Sequence, residues 1–219
     1  MGYVAVIGDI KDSKKVHNRG LVQNELKRVL AYINSKYIED VAANFVITLG
    51  DEFQGLLITG NNLFEIIRLI KRSMYPVEIR FGIGVGKITT SIDPQAAIGA
   101  DGPAFYAARE MIEELRRQEK KLKDQAPDVK LAIYGKPDDI QVEQINTFLR
   151  MTKMIEKSWS SEQRETIVDT ITNGGSQAER AKRLKTTQST IARRLKSANY
   201  DAYRDIENIT DRAFTKVKV

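Results

Sequence analysis

The first half of the chain alternates short apolar runs with longer segments of helical spacing. Residues 3–8 are apolar and rich in β-branched side chains, which predicts a buried strand, and residues 18–37 carry apolar side chains at helical intervals. Two apolar runs then flank Gly50, where glycine favours a tight hairpin. Similar patterns predict a helix that starts at residue 63 and is ended by Pro76, a strand over 77–86, a helix over 103–123 and a strand over 129–134.

The predicted order β-α-β-β-α-β-α-β indicates an α+β fold of the ferredoxin-like or palm type. In such a fold a mainly antiparallel sheet carries its helices on one face. From residue 137 onward every segment has helical periodicity, with further helices predicted over 140–157, 161–173, 176–184 and 188–196. We therefore expect a palm-like domain over residues 1–136, a connecting helix over 137–159 and a small all-α domain over 160–219.

Composition excludes several kinds of site. The 219 residues include no cysteine, and His17 is the single histidine. Disulfides, thiolate zinc sites, cysteine nucleophiles and sites built from several histidines are therefore excluded. No run of residues approaches a membrane span and no basic leader precedes the first strand, so we expect a cytoplasmic protein with no membrane partner.

The net charge of +6 comes from the C-terminal third of the chain. Residues 150–219 contain 15 basic and 9 acidic residues, whereas residues 1–149 contain 20 of each. Within residues 176–198, seven basic residues accompany one acidic residue, Glu179. A local basic patch is typical of proteins that bind a phosphate backbone, although an ordinary solvated helix face has the same composition.

Residues 176–196 have the spacing of two short helices joined by a turn. Ala181 is small where the helices would cross, and Thr187 is predicted to cap the second helix. The exposed start of a recognition helix contacts base edges, and basic residues further along it reach phosphates. The candidate DNA-binding residues are accordingly Gln188, Ser189, Thr190, Arg193, Arg194 and Lys196.

This stretch resembles the helix-turn-helix of bacterial regulators and sigma-factor-like domains. The segment Ser161-Glu162-Gln163-Arg164 is similar to the extra helix that such domains carry in front. Lys185 departs from the family, which usually has glycine at the left-handed position of the turn, and a non-glycine residue there costs stability. The resemblance implies binding to double-stranded DNA. The alternative is a helical bundle for dimerisation or docking.

Two aspartates follow glycines where predicted strands stop. Asp9 ends the first strand and Asp51 lies in the hairpin turn. If these strands are neighbours, both carboxylates can meet over one Mg²⁺ or Mn²⁺, a hard cation that completes its shell with phosphate oxygens and water. The alternative is that both are ordinary turn residues. Lys14 and Lys15 follow the first aspartate and could contact nucleotide phosphates at a helix start.

Four segments resemble motifs of the class III nucleotidyl cyclase and diguanylate cyclase palm, in the family's order. They are Val6-Ile7-Gly8-Asp9-Ile10, Leu49-Gly50-Asp51-Glu52-Phe53, Arg80-Phe81-Gly82-Ile83-Gly84-Val85-Gly86 and Ala107-Ala108-Arg109-Glu110. The resemblance implies that Asp9 and Asp51 hold the metal, and that the backbone of Ile10 and the side chain of Arg109 contact a nucleotide.

Three departures from the palm enzymes weaken the expectation of cyclisation. Ile47 stands where adenylate cyclases often carry a base-reading lysine, and Leu49 replaces the first glycine of the hairpin signature. Phe105 stands where the catalytic asparagine would fall if Arg109 aligns with the family arginine. The resemblance therefore supports metal and nucleotide binding better than it supports cyclisation of a nucleotide.

Over essentially its full length the chain also resembles the SatD family of small bacterial proteins, most of all in Gly99-Ala100-Asp101-Gly102-Pro103-Ala104-Phe105. We expect a metal-dependent nucleotide-binding palm coupled to a DNA-binding helix-turn-helix, acting as a nucleotide-responsive transcriptional regulator. The alternatives are a nucleotidyl cyclase or related phosphoryl-transfer enzyme, and a non-catalytic adaptor with a helical docking domain. A homodimer is expected because palm cyclases and helix-turn-helix proteins usually work as pairs.

Overall fold

The computed structural model describes residues 2–13 and 18–217, apart from the side chain of Asp124. The chain divides into two compact units. The first, here called the α+β unit, takes the residues up to Arg150 and those from Thr210 onward. The second, the helical unit, is Met151–Ile209.

The α+β unit contains five strands, three complete α-helices and a short 3-10 helix (Lys123–Gln125) among its described residues. The strands are β1 (Tyr3–Ile10), β2 (Val41–Leu49), β3 (Glu52–Leu57), β4 (Ile79–Gly86) and β5 (Val129–Ile133). The helices are α1 (Arg19–Lys36), α2 (Leu63–Met74) and α3 (Pro103–Leu122). The first part of α4 (Ile140–Lys157) and the last part of α8 (Tyr200–Thr215) also belong to this unit.

The five strands form one mixed sheet in the order β2-β3-β1-β4-β5. β1 lies in the middle and is antiparallel to both β3 and β4, whereas β5 is parallel to β4. The β2–β3 hairpin turns at Gly50, whose φ of +56° is the left-handed conformation that glycine adopts readily. The α+β fold class expected from the sequence is confirmed. The register places Asp9 between Glu52 of β3 and Arg80 of β4.

Helices cover both faces of the sheet, which corrects the expectation that they lie on one face. Val4 and Val6 of β1 share a core with α1 and α2. Ala5 and Ile7, which point the other way, share a second core with α3. The second layer depends on glycine: a Cβ added to Gly84 would lie 2.0 Å from the backbone oxygen of Ala104. Because β4 presents no side chain at such positions, α3 can pack directly on its backbone.

The helical unit contains α5 (Ser161–Asn173), α6 (Gln177–Arg183) and α7 (Gln188–Ser197), with the remaining parts of α4 and α8. α5 begins at the predicted capping box, in which Ser160 and Gln163 each satisfy the other's backbone N–H. The indole of Trp159 packs edge-on against Tyr203 at 4.8 Å and donates to the carbonyl of Ala198. These contacts stabilise the ends of α4, α7 and α8 within this unit.

Candidate functional site

Two short helices, α6 and α7, are joined by a tight four-residue turn in the helical unit. Lys185 adopts a left-handed conformation with φ of +49°. Its N–H donates to the carbonyl of Lys182 at 3.3 Å, and the N–H of Thr186 donates to the carbonyl of Ala181 at 2.9 Å. These two bonds are the Schellman pattern that satisfies the last carbonyls of a helix. The turn therefore has the left-handed geometry expected from the sequence, with lysine in place of glycine.

The start of α7 is capped and open to solvent. Thr187 Oγ1 accepts a hydrogen bond from the N–H of Thr190 at 3.2 Å, as the sequence predicts. Gln188 and Ser189 are exposed, and Thr190 is half-buried with its hydroxyl 2.9 Å from that of Thr187. The first turn of α7 thus offers two exposed polar side chains on a backbone that its cap holds in place.

The three predicted basic residues of α7 have different surroundings. Arg193 and Lys196 are exposed, and neither side chain has a hydrogen bond or ion pair to another residue in the described part of the chain. Arg194 is half-buried, and its Nη1 donates to Thr166 Oγ1 of α5 at 3.4 Å. Arg193 and Lys196 are therefore available to an external anion, whereas Arg194 packs against the neighbouring helix.

The basic residues of α6 are partly used inside the unit. Arg183 donates two hydrogen bonds to Asp169 of α5, at 2.9 and 2.6 Å, and buried Arg180 lies 3.5 Å from the same carboxylate. Asp169 was not identified from the sequence, because its arginine partners lie on a different helix. Fewer of the seven basic residues in 176–198 are therefore available to an external partner than the composition suggests.

Asp9 is a buried carboxylate held by two arginines. Arg80 of β4 donates to its Oδ2 at 2.7 Å, and Arg116 of α3 donates to its Oδ1 at 3.1 Å. Arg80 also contacts Glu119 of α3 at 2.5 Å. Because only 5% of Asp9 is exposed, its charge is balanced inside the protein by this network. The network ties β1, β4 and α3 together at one end of the sheet.

Asp51 lies on the other side of the same strand end. Its Oδ2 accepts a hydrogen bond from Ser13 Oγ at 2.5 Å, and its side chain lines a shallow recess with Arg19 and Gln23 of α1. The backbone N–H of Ile10 donates to the carbonyl of Asp51 at 3.0 Å. That donor is therefore already used in the hairpin contact and does not point to a ligand.

The structure gives the carboxylates of Asp9 and Asp51 different partners. Asp9 faces α3 and Asp51 faces α1, whereas Glu52 is the residue paired directly with Asp9. Among residues 2–13 and 18–217, no group of three or more His, Cys, Asp or Glu side chains could hold a metal ion. With Asp9 neutralised by two guanidinium groups, these residues do not fit a shared Mg²⁺ or Mn²⁺ site.

Glu52 and two arginines of α3 form a mixed charge group on the α3 side of the strand end. Burial, and then the nearby charge of Asp9, raise the pKa of Glu52, while Arg116 and Arg109 oppose the shift. Arg109 is half-exposed and makes an ion pair with Asp101 at 3.2 Å. Arg109 thus lies close enough to Glu52 for its charge to act on that carboxyl group. Lys14 and Lys15 lie outside the described residues.

The SatD family model matches residues 3–211. The chain belongs to the SatD family. No curated protein matches it. No helix in the described part of this SatD-family chain is long and apolar enough to cross a membrane.

Similar solved structures share little sequence with this SatD-family chain. A bacterial light-regulated adenylyl cyclase is 12% identical over 59% of this chain and 74% of its own, with a TM-score of 0.43. The catalytic core of a rhodopsin-guanylyl cyclase with converted specificity, in complex with ATPαS, is 19% identical over 49% and 69%, with a TM-score of 0.37. A regulator of polyketide synthase expression from Bifidobacterium adolescentis is 13% identical over 97% and 83%, with a TM-score of 0.29. These TM-scores support no conclusion about the activity of this chain.

The Asp169 cluster predicts that the helical unit loses stability in acid. The hydrogen bonds from Arg183 hold the pKa of Asp169 below its ordinary value of about 3.9. A carboxyl group whose pKa is lower in the folded state stabilises that state above the unfolded pKa, and the contribution disappears as the pH falls through the folded pKa. Urea unfolding followed by Trp159 fluorescence should therefore show wild type and Asp169→Asn converging below about pH 4. A constant difference between them from pH 7 to pH 3 would contradict this prediction.

Proposed function

We propose that this SatD-family protein is a DNA-binding regulator whose α+β unit responds to a nucleotide. The observation that carries the proposal is the exposed first turn of α7, accompanied by two basic side chains that have no partner among the described residues. In a helix-turn-helix the second helix enters the major groove with its N-terminal residues against base edges. α6 and α7 would act as that pair.

Each exposed side chain of α7 suits one part of duplex DNA. Gln188 can make two hydrogen bonds to an adenine edge, and Ser189 can donate to or accept from several bases. Arg193 and Lys196 would neutralise backbone phosphates, which releases bound counterions and makes the affinity fall as salt rises. The six residues predicted from sequence thus have unequal roles, with Arg194 contributing mainly by packing against α5.

Replacing Arg193 with alanine is expected to weaken DNA binding uniformly across sequences. One lost phosphate contact should reduce the slope of log affinity against log salt by about 0.9. Fluorescence anisotropy with a short random-sequence duplex, titrated at several salt concentrations, measures both quantities. Arg204→Ala is the matched control because Arg204 is an exposed arginine of the same unit that is paired with Asp201.

Two outcomes would contradict the DNA-binding proposal. One is a wild-type affinity that does not change with salt or that is absent altogether. The other is an Arg204→Ala variant that loses as much affinity as Arg193→Ala, which would indicate attraction by net charge without a defined interface. In either case a helical docking domain for a protein partner becomes the better explanation.

The nucleotide proposal rests on Arg109 and its neighbours at the strand end. Arg109 is half-exposed and its ion-pair partner Asp101 is also half-exposed, so a phosphate group can compete for the guanidinium. The charges of Arg109 and Arg116 both act on Glu52, whose pKa is raised chiefly by burial, and groups of this kind are typical of binding sites. Because the charge of Asp9 is already balanced by Arg80 and Arg116, we propose binding that does not require Mg²⁺.

Nucleoside triphosphates should raise the unfolding temperature of the wild-type protein in EDTA as well as in Mg²⁺. Arg109→Ala should abolish this shift, whereas Arg117→Ala should retain it, because Arg117 is an exposed arginine on the same helix that is paired with Glu114. Turnover of a nucleotide in Mg²⁺ or Mn²⁺ that Asp51→Ala abolishes would favour the phosphoryl-transfer enzyme over the regulator.

A homodimer is part of the proposal because one α7 covers a single half-site. Dimeric helix-turn-helix proteins bind two half-sites about one helical turn apart. Analytical ultracentrifugation should give a mass twice that of the 24.8 kDa chain, at least when DNA is bound. A monomer that binds DNA at one-to-one stoichiometry would remove dimerisation from the proposal and leave DNA binding intact.

A further inference from the structure

The turn between α6 and α7 holds a lysine in a backbone conformation that lysine disfavours. Lys185 occupies the left-handed position of the Schellman turn, with φ of +49°. In that conformation the Cβ atom of an L-residue crowds the backbone, so glycine is usual there and any other residue costs stability. The presence of a non-glycine residue at this position is therefore to be explained by its side chain and not by its backbone preference.

Other helix ends in the same unit use residues that tolerate a positive φ. α5 is followed by Gly174, with φ of +57° and ψ of −146°, and α7 by Asn199, with φ of +54°. Asparagine tolerates the left-handed region because its short side chain can hydrogen-bond locally. Lysine has neither the freedom of glycine nor a short hydrogen-bonding side chain. The α6 end is therefore the exception in the described part of this unit.

Local interactions do not account for the lysine side chain. Lys185 is exposed, and its ammonium has no hydrogen bond or ion pair with any residue that the structure describes. A cation at the C-terminal end of a helix gains from the helix dipole, but this effect is weak at an exposed site and is screened by salt. Lys182, three residues earlier, is also exposed and already supplies such a charge.

We propose that Lys185 is a phosphate-binding residue of the DNA interface. This inference rests on the proposed function, since it assigns a new contact to the same interface. Two residues separate Lys185 from Gln188, the first residue of α7, so Lys185 lies in the turn just before the helix that would enter the major groove. There it binds a backbone phosphate oxygen, and the left-handed turn is kept with lysine because glycine would lose that contact.

The proposal predicts opposite effects of one substitution on binding and on stability. Lys185→Gly should weaken binding to a random-sequence duplex about three- to tenfold near physiological salt, and reduce the log–log salt slope by about 0.9. The same variant should unfold at an equal or higher urea concentration than wild type, because glycine relieves the strained turn. Lys185→Arg should keep the affinity and the slope, since it keeps the charge.

A second neutral variant controls for any change that glycine itself makes to the conformation of the turn. Lys185→Asn also accepts the left-handed conformation, so its binding should match that of Lys185→Gly while Trp159 fluorescence reports an intact helical unit. If wild type binds DNA, and both neutral variants bind it as tightly as wild type with the same log–log salt slope, this inference is overturned and the proposed function stands. If wild type shows no salt-dependent binding, both are overturned.

Discussion

Gly84→Ala is expected to destabilise the α+β unit by about 3 kcal/mol, at the upper end of what an overpacked site costs. The added methyl group would lie 2.0 Å from the backbone oxygen of Ala104 and 2.4 Å from the backbone nitrogen of Ala108. Both atoms belong to the backbone of α3, so a change of side-chain rotamer cannot relieve the overlap and the whole helix must move away from β4. Urea unfolding followed by far-UV circular dichroism measures the loss.

Gly20→Ala is the matched control for this prediction. Gly20 lies in the first turn of α1, and nothing lies within 4 Å of the position that its Cβ would occupy. Alanine should therefore leave stability unchanged or raise it by about 0.5 kcal/mol, because glycine is a poor helix former. Equal stability of Gly84→Ala and wild type would mean that α3 does not pack directly on β4.

Asp9→Asn is expected to cost about 3 kcal/mol, because it leaves two guanidinium groups without the buried carboxylate that balances them. Arg80 keeps Glu119 and Arg116 keeps Glu113, so part of each charge remains paired. The loss should appear as a lower urea midpoint for the α+β unit at neutral pH. It should be the same in EDTA and in Mg²⁺, because the effect comes from ion pairs and not from a cation.

Asp51→Asn separates this explanation from the metal-binding one. Asp51 is half-buried and accepts from Ser13, a hydrogen bond that an asparagine oxygen can still accept, so we expect a loss below about 1 kcal/mol. If Asp9 and Asp51 were joint ligands of Mg²⁺, the ion would raise the wild-type midpoint and both variants would lose that rise equally. That result would restore the shared-cation site expected from the sequence.

Regulation by a nucleotide requires more than two binding activities in one chain. A nucleotide changes DNA affinity only if it binds more tightly to the DNA-competent arrangement of the protein than to the other. Linkage then requires that DNA change the nucleotide affinity by the same factor. Measuring both affinities with and without the second ligand tests this coupling, and Arg109→Ala should remove it without altering DNA binding in the absence of nucleotide.

Local sequence patterns determined the elements of this protein and several of their ends. The apolar runs around Gly50 and the capping residues Ser160 and Thr187 were predicted correctly. These features depend on hydrogen bonds and backbone preferences within a few residues, so neighbouring side chains suffice to specify them.

Only the tertiary structure decided which charged groups meet. The ion pairs of Asp9 join residues that are far apart in the chain: Asp9 and Arg116 are separated by 107 positions. Their pairing depends on α3 lying against the glycines of β4. Asp51, by contrast, turns toward α1, although the sequence places it in the same kind of strand-end motif as Asp9. A sequence shows that a carboxylate stands at the end of a strand, but the side of the sheet it faces and the partner it finds depend on the packing of distant elements.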